Sequence, residues 1–122
     1  MTTLIPTPQA IQPQSRAYDL KTRLDWGEPA LTIIDIRPIS VFNQEHIQGA
    51  ISLPADTLVA RVMATLETDR DIYIYSDSNE ETAAAAAQLR EAGYTHVSEL
   101  TGGLAAWKAV GYPAESISAV VA

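Results

Sequence analysis

The segment IYIYSDSNEETAAAAAQLREAGY, residues 72–94, contains the pattern that decides the fold. It opens with alternating Ile and Tyr, which is typical of a β-strand and predicts one over Ile72–Tyr75. The polar loop Ser76–Glu81 follows, and an alanine-rich stretch predicts a helix over Asn79–Ala92. Gly93 ends this helix because glycine adopts the left-handed conformation without a steric penalty. The segment therefore predicts a strand, a loop and a helix that lies close against the strand.

Further strands and helices alternate on both sides of this segment. Strands are predicted at Leu31–Ile36, Ala50–Leu53 and Val97–Leu100, helices at Ser15–Trp26, Asp56–Leu66 and Leu104–Val110, and a helical turn at Ser40–His46. Asp56 is placed to cap its helix. The alternation predicts an α/β fold with three layers, in which a mostly parallel central sheet has helices on both faces. Ligands of such sheets bind beyond the carboxyl ends of the strands, so Ser76–Glu81 is the loop of interest.

The two ends of the chain differ from its middle. Residues 1–13 are rich in Pro, Thr and Gln without periodicity, which predicts a flexible or loosely docked N-terminal arm. Residues 14–114 are interpreted as a single domain, because 122 residues with 47% apolar content suit one core. Residues 115–122 form an apolar C-terminal tail, which we expect to dock on its own domain or on a second copy. We expect a monomer or a weak homodimer.

Charge and hydropathy exclude several classes of partner. The net charge of −7 and the isoelectric point near 4.6 argue against nucleic acid and against an anionic membrane surface. No stretch approaches the roughly 18 apolar residues of a membrane span. We therefore expect a soluble, cytoplasmic protein. The segment from residue 67 to residue 81 contains six acidic residues and a single basic residue, Arg70. The acidic residues are Glu67, Asp69, Asp71, Asp77, Glu80 and Glu81.

The chain contains no cysteine, which removes disulfides, thiolate metal sites and every thiol-based mechanism from consideration. The two histidines, His46 and His96, have no metal-ligand partner at the spacing of one helical turn. We therefore expect no metal and no cofactor. His46 is interpreted as a structural histidine with satisfied hydrogen bonds.

Three stretches together resemble the rhodanese family. They are IIDIR (33–37) followed by EHIQGAISLP (45–54), the segment 72–94 quoted above, and VSELTGGLAAWKAVGYP (97–113). They occur in the family's order and spacing, and the region that contains them, Leu31–Pro113, is about two-thirds of the chain. The resemblance implies a rhodanese-like domain with the three-layer fold and, in active members, sulfur transfer.

The family's signature is a strand that ends in cysteine, four loop residues, and an arginine that opens a helix. The resemblance places the cysteine position at Ser76 and the arginine position at Glu81. A serine hydroxyl cannot form a persulfide, and Glu81 puts an anion beside a loop that binds anions in the family. The resemblance thus implies a degenerate active-site loop with no intact catalytic residue. Its residues are Ser76, Asp77, Ser78, Asn79, Glu80 and Glu81.

The same loop has a purely structural interpretation. Ser78 and Glu81 have the spacing of a capping box, in which the Ser78 hydroxyl accepts from the Glu81 N–H and the Glu81 carboxylate reaches back to the Ser78 N–H. The early carboxylates also complement the helix dipole. On this interpretation the protein's own acid fills the former site.

Other family-like residues are interpreted as structural supports near the loop. Asp35 and Arg37 match a pair at the end of the first core strand, where the carboxylate accepts loop N–H groups and the guanidinium pairs with an acid. Gly102 and Gly103 turn the chain, and Trp107 is expected to pack the last helix on the sheet, with pocket lining as the alternative. A hydrolase triad of Ser76, His46 and Asp35 has no sequence support, because the chain has no G-x-S-x-G elbow.

Two functional hypotheses remain. The first is a catalytically inactive binding or regulatory module, which contacts a protein partner through the degenerate loop or through the surface around Tyr73, Tyr75 and the acidic cluster. The second is an enzyme, either a rhodanese-type sulfurtransferase assisted by a partner's cysteine or an unrelated activity at Ser76.

Overall fold

The computed structural model describes residues 11–27 and 30–117. The strands are β1 (Gln14–Ser15), β2 (Leu31–Asp35), β3 (His46–Ile47), β4 (Ile51–Ser52), β5 (Asp71–Tyr75), β6 (Val97–Leu100) and β7 (Ala114–Glu115). The helices are α1 (Ala17–Asp25), α2 (Ile39–Gln44), α3 (Leu58–Thr65), α4 (Asn79–Glu91) and α5 (Gly103–Ala109), and one 3-10 turn lies at Ala55–Thr57. None of the helices in the described ranges has the length and apolar character needed to cross a membrane.

Five strands form one sheet in the order β1-β6-β5-β2-β4, and every neighbouring pair in it is parallel. Strands β3 and β7 form a separate antiparallel pair. The helices cover both faces of the larger sheet, so the predicted three-layer α/β fold is confirmed. Because the strands are parallel, the loops that follow β2, β5 and β6 meet at one edge, which we call the carboxyl edge.

The alternation along β5 divides the core into two clusters. Ile72 and Ile74 pack with the buried side chains of α3 and α4. Tyr73 and Tyr75 point to the opposite face and pack with α1 and α5. Trp107 is fully buried in this second cluster and attaches α5 to the sheet, and its indole N–H donates to the carbonyl of Pro113 (2.7 Å).

The beginning of the first predicted helix is wrong. Ser15 does not open α1 but lies in β1, where it pairs with Leu100 of β6. Its buried hydroxyl bonds the hydroxyl of Ser98 (2.5 Å). The helix begins at Ala17, after Arg16, whose N–H donates to the Asp19 carboxylate (2.8 Å). A two-residue edge strand has no periodicity that a sequence pattern can reveal, which explains the error.

Two further boundaries are corrected. Asp56 is not a helix cap, because it lies inside the 3-10 turn and α3 begins after Thr57 without any side-chain cap. The helical turn predicted for Ser40–His46 is α2, and His46 instead begins β3. The remaining predicted strands and helices are present, with ends that differ by one or two residues.

The ends of the chain are only partly described. Pro13 is attached to the domain, since its carbonyl accepts from the Glu99 N–H (2.8 Å) and from Arg90 (3.1 Å). The start of the predicted tail also contacts its own domain through β7, and the Ile117 N–H donates to the Asn43 carbonyl (2.9 Å). Residues 1–10 and 118–122 lie outside the described ranges, so the division into arm, domain and tail stays a prediction.

Candidate functional site

Ser76 lies at the carboxyl edge, directly after β5 and before α4. Its side chain is buried, with 7% of the residue exposed, and its hydroxyl bonds no other residue in the part of the chain that the structure describes. The loop that it opens is short, since only Asp77 and Ser78 separate it from α4. The Ser76 hydroxyl therefore stands at the base of the loop with some contact to solvent, next to the amino terminus of a 13-residue helix.

Ser78 caps α4. Its hydroxyl accepts from the Glu81 N–H (3.1 Å) and donates to the Glu81 carboxylate (3.1 Å), and the Thr82 N–H bonds the Ser78 carbonyl. The predicted cap is therefore confirmed in its first half. The second half is wrong, because the Glu81 carboxylate reaches the Ser78 hydroxyl rather than its N–H. This carboxylate satisfies the cap side chain and does not bond the N–H groups of the loop.

The loop is also held by the turn that precedes α5. The Asn79 side-chain carbonyl accepts from the Gly102 N–H (3.0 Å). Gly103 has a positive φ of 51°, and a Cβ at this position would lie 2.4 Å from the Ser76 carbonyl oxygen. Only glycine allows this approach, so Gly103 fixes the distance between α5 and the Ser76 loop.

Asp35 and Arg37 form a buried ion pair beside the loop, with 0% and 5% of each residue exposed. The Arg37 guanidinium donates to both Asp35 oxygens (Nε–Oδ1 3.0 Å, Nη2–Oδ2 2.7 Å), and the Arg37 N–H donates to Oδ1 (2.9 Å). The same guanidinium donates to the Glu45 carbonyl (2.6 Å) and contacts Asp77 (3.4 Å). Burial opposes its charge, yet the hydrogen bond and the charge of Asp35 raise the pKa of Arg37 above its ordinary value. Arg37 is thus permanently charged, and its hydrogen bonds connect Asp77 in the loop after β5 with the Glu45 carbonyl after α2.

The two tyrosines of β5 belong to the interior. The Tyr75 hydroxyl accepts from the Ile47 N–H (3.1 Å), and burial together with a hydrogen bond to Asp35 raises the pKa of Tyr75. Burial also raises the pKa of Tyr73, against the opposing effect of Arg23. Both side chains are buried, so the predicted contact surface around Tyr73 and Tyr75 is wrong. Alternating Ile and Tyr does not reveal burial on both faces, because an amphipathic tyrosine is stable on either side of a sheet.

The structure does not assemble the hydrolase triad. His46 stacks on Phe42 (3.7 Å between ring centres) and bonds the Phe42 carbonyl through Nδ1 (2.7 Å) and Glu115 through Nε2 (3.2 Å). Both ring nitrogens are therefore occupied away from Ser76. His96 bonds Asp71 (2.8 Å) at the opposite edge of the sheet. Within the described ranges no group of three or more His, Asp or Glu residues has the arrangement of a metal site.

Sequence reasoning missed the contribution of α2 and α5 to this edge. The Glu45 carbonyl accepts from Arg37, and the Glu45 carboxylate pairs with Lys108 of α5 (2.5 Å). Glu45 and Lys108 are 63 residues apart, so no local spacing signals their contact. The edge is thus one network that connects three loops.

Comparison with protein families assigns the chain to a family. The model of the rhodanese-like domain family matches residues 16–110, which is most of the chain. The chain belongs to the rhodanese-like family. Among curated rhodanese-like relatives, a sulfurtransferase from Allochromatium vinosum is 36% identical over 94 residues, which cover 77% of this chain and 86% of the relative. The thiosulfate sulfurtransferase PspE from Escherichia coli is 36% identical over 72 residues, 58% of this chain and 68% of PspE.

A solved structure is also similar to this chain. The crystal structure of the Alr3790 protein from Anabaena sp. is 54% identical, with a TM-score of 0.83 over 84% of this chain and 92% of that chain. This rhodanese-like domain nevertheless contains no cysteine at all. The missing cysteine fits a domain without the family's catalytic thiol.

Proposed function

We propose that this rhodanese-like domain transfers no sulfur and acts as a binding or regulatory module through protein contacts. One observation carries the proposal. At the carboxyl edge, the residue that directly follows β5 is Ser76, in a chain with no cysteine. Sulfur transfer of the rhodanese type needs a polarisable thiolate that accepts a sulfur atom and releases it. The serine hydroxyl at this position can neither accept the sulfur atom nor release it.

The surrounding charges support the same proposal. Glu81 lies in the first turn of α4 with its carboxylate held by Ser78, and Glu80 beside it is exposed. At about 4 Å, a like charge costs roughly 1 kcal/mol in water and about 4 kcal/mol at an effective dielectric of about 20. Arg37 contacts Asp77 of the loop, but its guanidinium already donates to Asp35 and to the Glu45 carbonyl. Thiosulfate, a dianion, would therefore meet carboxylates rather than a free guanidinium.

The exposed carboxylates are the surface that we propose for partner contacts. Asp77, Glu80 and Glu81 are all exposed, in contrast to the buried frame of Asp35 and Arg37. Such a surface favours a partner that presents lysine or arginine, because attraction of opposite charges raises the association rate and suppresses wrong partners.

A steady-state thiosulfate:cyanide assay tests the catalytic half of the proposal. The wild-type protein at high concentration should give no thiocyanate above the buffer blank. Ser76→Cys should restore little turnover because Glu81 remains, and the Ser76→Cys, Glu81→Arg double variant should exceed it by at least about tenfold, equivalent to about 1.4 kcal/mol. Thr65→Cys, which places an exposed cysteine at the end of α3, is the matched control for a thiol outside the loop.

Two results would contradict this half. Turnover by the wild-type protein would show that catalysis does not need cysteine. Equal turnover by the single and double variants would show that Glu81 does not oppose the substrate. Circular dichroism of each variant checks that the fold is unchanged.

The binding half is tested by capture of partners from the native host. Glu80→Ala, Glu81→Ala removes two carboxylates from the proposed surface, and Glu67→Ala, Asp69→Ala removes two exposed carboxylates from the loop between α3 and β5. We expect the first double variant to lose partners that the wild type and the second retain. Identical partner sets for all three proteins would reject the loop as the contact surface.

A sulfurtransferase activity that uses a partner's cysteine is the second candidate, and the names of the relatives PspE and Allochromatium sulfurtransferase favour it. In that case the partner's thiolate would attack the outer sulfur of thiosulfate and release sulfite, while this chain would only bind and orient the substrate. Adding a captured partner to the assay distinguishes the two candidates. Thiocyanate that forms only with both proteins would favour the second.

A further inference from the structure

The first helix exposes two large aromatic side chains. Tyr18 is 63% exposed, and Trp26, which directly follows α1, is 81% exposed. Trp26 keeps right-handed helical dihedrals (φ −78°, ψ −6°), so the two residues stand eight positions apart on one continuous helical path. Eight positions correspond to about 12 Å along the axis and an angular offset of about 80° after two turns, so both rings lie on the half of the helix that faces away from the buried Ala17 and Leu20. We call this surface the α1 aromatic face.

The N-terminal residues enter the domain beside this face. Strand β1 is parallel to β6, so the chain reaches β1 from the amino edge of the sheet, opposite the Ser76 loop. Helix α1 follows β1 and runs back to that same edge, because it is followed by β2, another parallel strand. Ile11 and Leu24 pack against the same core cluster. Ile11 therefore lies at the end of α1 that carries Trp26.

The segment that precedes Ile11 has the composition to cover aromatic rings. Its sequence is MTTLIPTPQA, with no charged side chain, two adjacent aliphatic residues (Leu4 and Ile5) and two prolines (Pro6 and Pro8). Proline favours the extended polyproline conformation, which docks on exposed aromatic side chains at a low cost in entropy. Ten residues in this conformation span about 30 Å, more than twice the roughly 12 Å between Tyr18 and Trp26.

We propose that Leu4–Pro8 pack on the α1 aromatic face of the same molecule, as an intramolecular cover. A segment tethered beside its site has an effective concentration in the millimolar range, which favours it over a second copy at ordinary protein concentrations. The proposal does not depend on the function proposed for the Ser76 loop, because the face lies on another part of the domain. It assigns a partner to the two most exposed aromatic side chains of the described ranges.

Fluorescence quenching by acrylamide tests the proposal in the full chain. The protein has two tryptophans. Trp107 is fully buried and Trp26 is exposed, so most of the fluorescence that acrylamide quenches comes from Trp26. Trp26→Phe measures the Trp107 background. Leu4→Ser, Ile5→Ser removes the apolar contacts of the segment, and Thr3→Ser, Thr7→Ser is the matched control. We expect the quenching constant of Trp26 in the apolar-to-serine variant to be at least about twofold that of the wild type and the control, with a red-shifted emission.

Two outcomes would overturn the proposal. Equal quenching in the three proteins that retain Trp26 would show that Trp26 is not covered by this segment. Protection of the wild type that grows with protein concentration would identify a second copy as the occupant. If the Leu4→Ser, Ile5→Ser variant does not fold, nuclear Overhauser contacts in the wild type between the Trp26 indole and the methyl groups of Leu4 or Ile5 decide the question, and their absence rejects the proposal.

Discussion

The loops after β2 and β5 leave neighbouring strands at the same edge but are stabilised in opposite ways. Asp35 and Tyr75 are directly paired in the sheet, so the two loops start side by side. The first loop holds a buried ion pair whose oxygens and N–H groups are bonded. The second has the unbonded hydroxyl of a largely buried serine, Ser76, at its base and exposed carboxylates above.

The residues that hold the site in place, which we call the frame, therefore differ from the residues that would carry out chemistry there. The frame consists of Asp35, Arg37, Gly103 and Trp107, and it depends on burial and close contacts. The Ser76 loop contributes little to the core: Ser78 and Glu81 bond each other, and Asp77 and Asn79 are exposed and each bond one residue outside the loop. A rhodanese-like domain can therefore keep its fold while the residues that would perform sulfur transfer are replaced, because the two sets contribute to different free energies.

Replacement of Arg37 gives the largest expected effect on the first loop. Arg37→Met leaves the fully buried Asp35 carboxylate without its counter-charge, which should lower the free energy of unfolding by about 3–5 kcal/mol. Urea unfolding measures this loss. Arg16→Met, which removes an exposed ion pair with Asp19, is the control and should change stability by less than about 1 kcal/mol. Similar losses in both variants would remove the distinction between a buried frame and an exposed surface.

Gly103 tests the contact between α5 and the Ser76 loop. Gly103→Ala should cost about 2–4 kcal/mol, because the new Cβ would lie 2.4 Å from the Ser76 carbonyl oxygen and force backbone to move. Gly111→Ala is the matched control, since Gly111 also has a positive φ (80°) but its Cβ would meet no atom within 4 Å. That control should cost about 1 kcal/mol. Equal thermal or urea stabilities of the two variants would show that the close approach is not a constraint.

The cap of α4 predicts a smaller effect within the second loop. Ser78→Ala removes the acceptor of the Glu81 N–H and should lower the free energy of unfolding by about 1 kcal/mol in a urea titration. Ser78→Asp retains an acceptor for the same N–H and should stay within about 0.5 kcal/mol of the wild type. If the alanine variant is as stable as the aspartate variant, the hydrogen bond from the Glu81 N–H to Ser78 contributes less to the free energy of unfolding than its geometry implies.

The ionisation of Tyr75 in the frame gives the smallest effect at neutral pH, because it changes stability only above about pH 10. The pKa of Tyr75 is raised above the usual 10.0, so this residue stabilises the fold fully below about pH 10 and loses that contribution as the pH rises further. The wild type should lose stability relative to Tyr75→Phe above pH 10, by at most about 1.4 kcal/mol per pH unit. Urea unfolding between pH 8 and 11 measures the gap between the two proteins. A gap that stays constant over this range would contradict the assigned burial of the Tyr75 hydroxyl.

Local patterns were sufficient for much of the fold. The strand at Ile72–Tyr75, the alanine helix with its Ser78 cap and the α/β order all follow from residues that are near one another in the chain. Alternation and capping act over two to four positions, so a sequence reveals them directly. The absence of cysteine is likewise visible in the sequence, whereas the family's cysteine and arginine positions at Ser76 and Glu81 stay a prediction from the resemblance.

Contacts across long separations were decided by the tertiary structure alone. The pairing of Gln14–Ser15 with β6, the bond from Asn79 to Gly102 and the His46–Glu115 contact each join residues 23 or more positions apart. Burial was also decided at this level, since Tyr73 and Tyr75 are inside whereas Tyr18 and Trp26 are outside. The physical reason is that desolvation and long-range hydrogen bonds depend on which surfaces meet after folding, and residue type and spacing do not specify those surfaces.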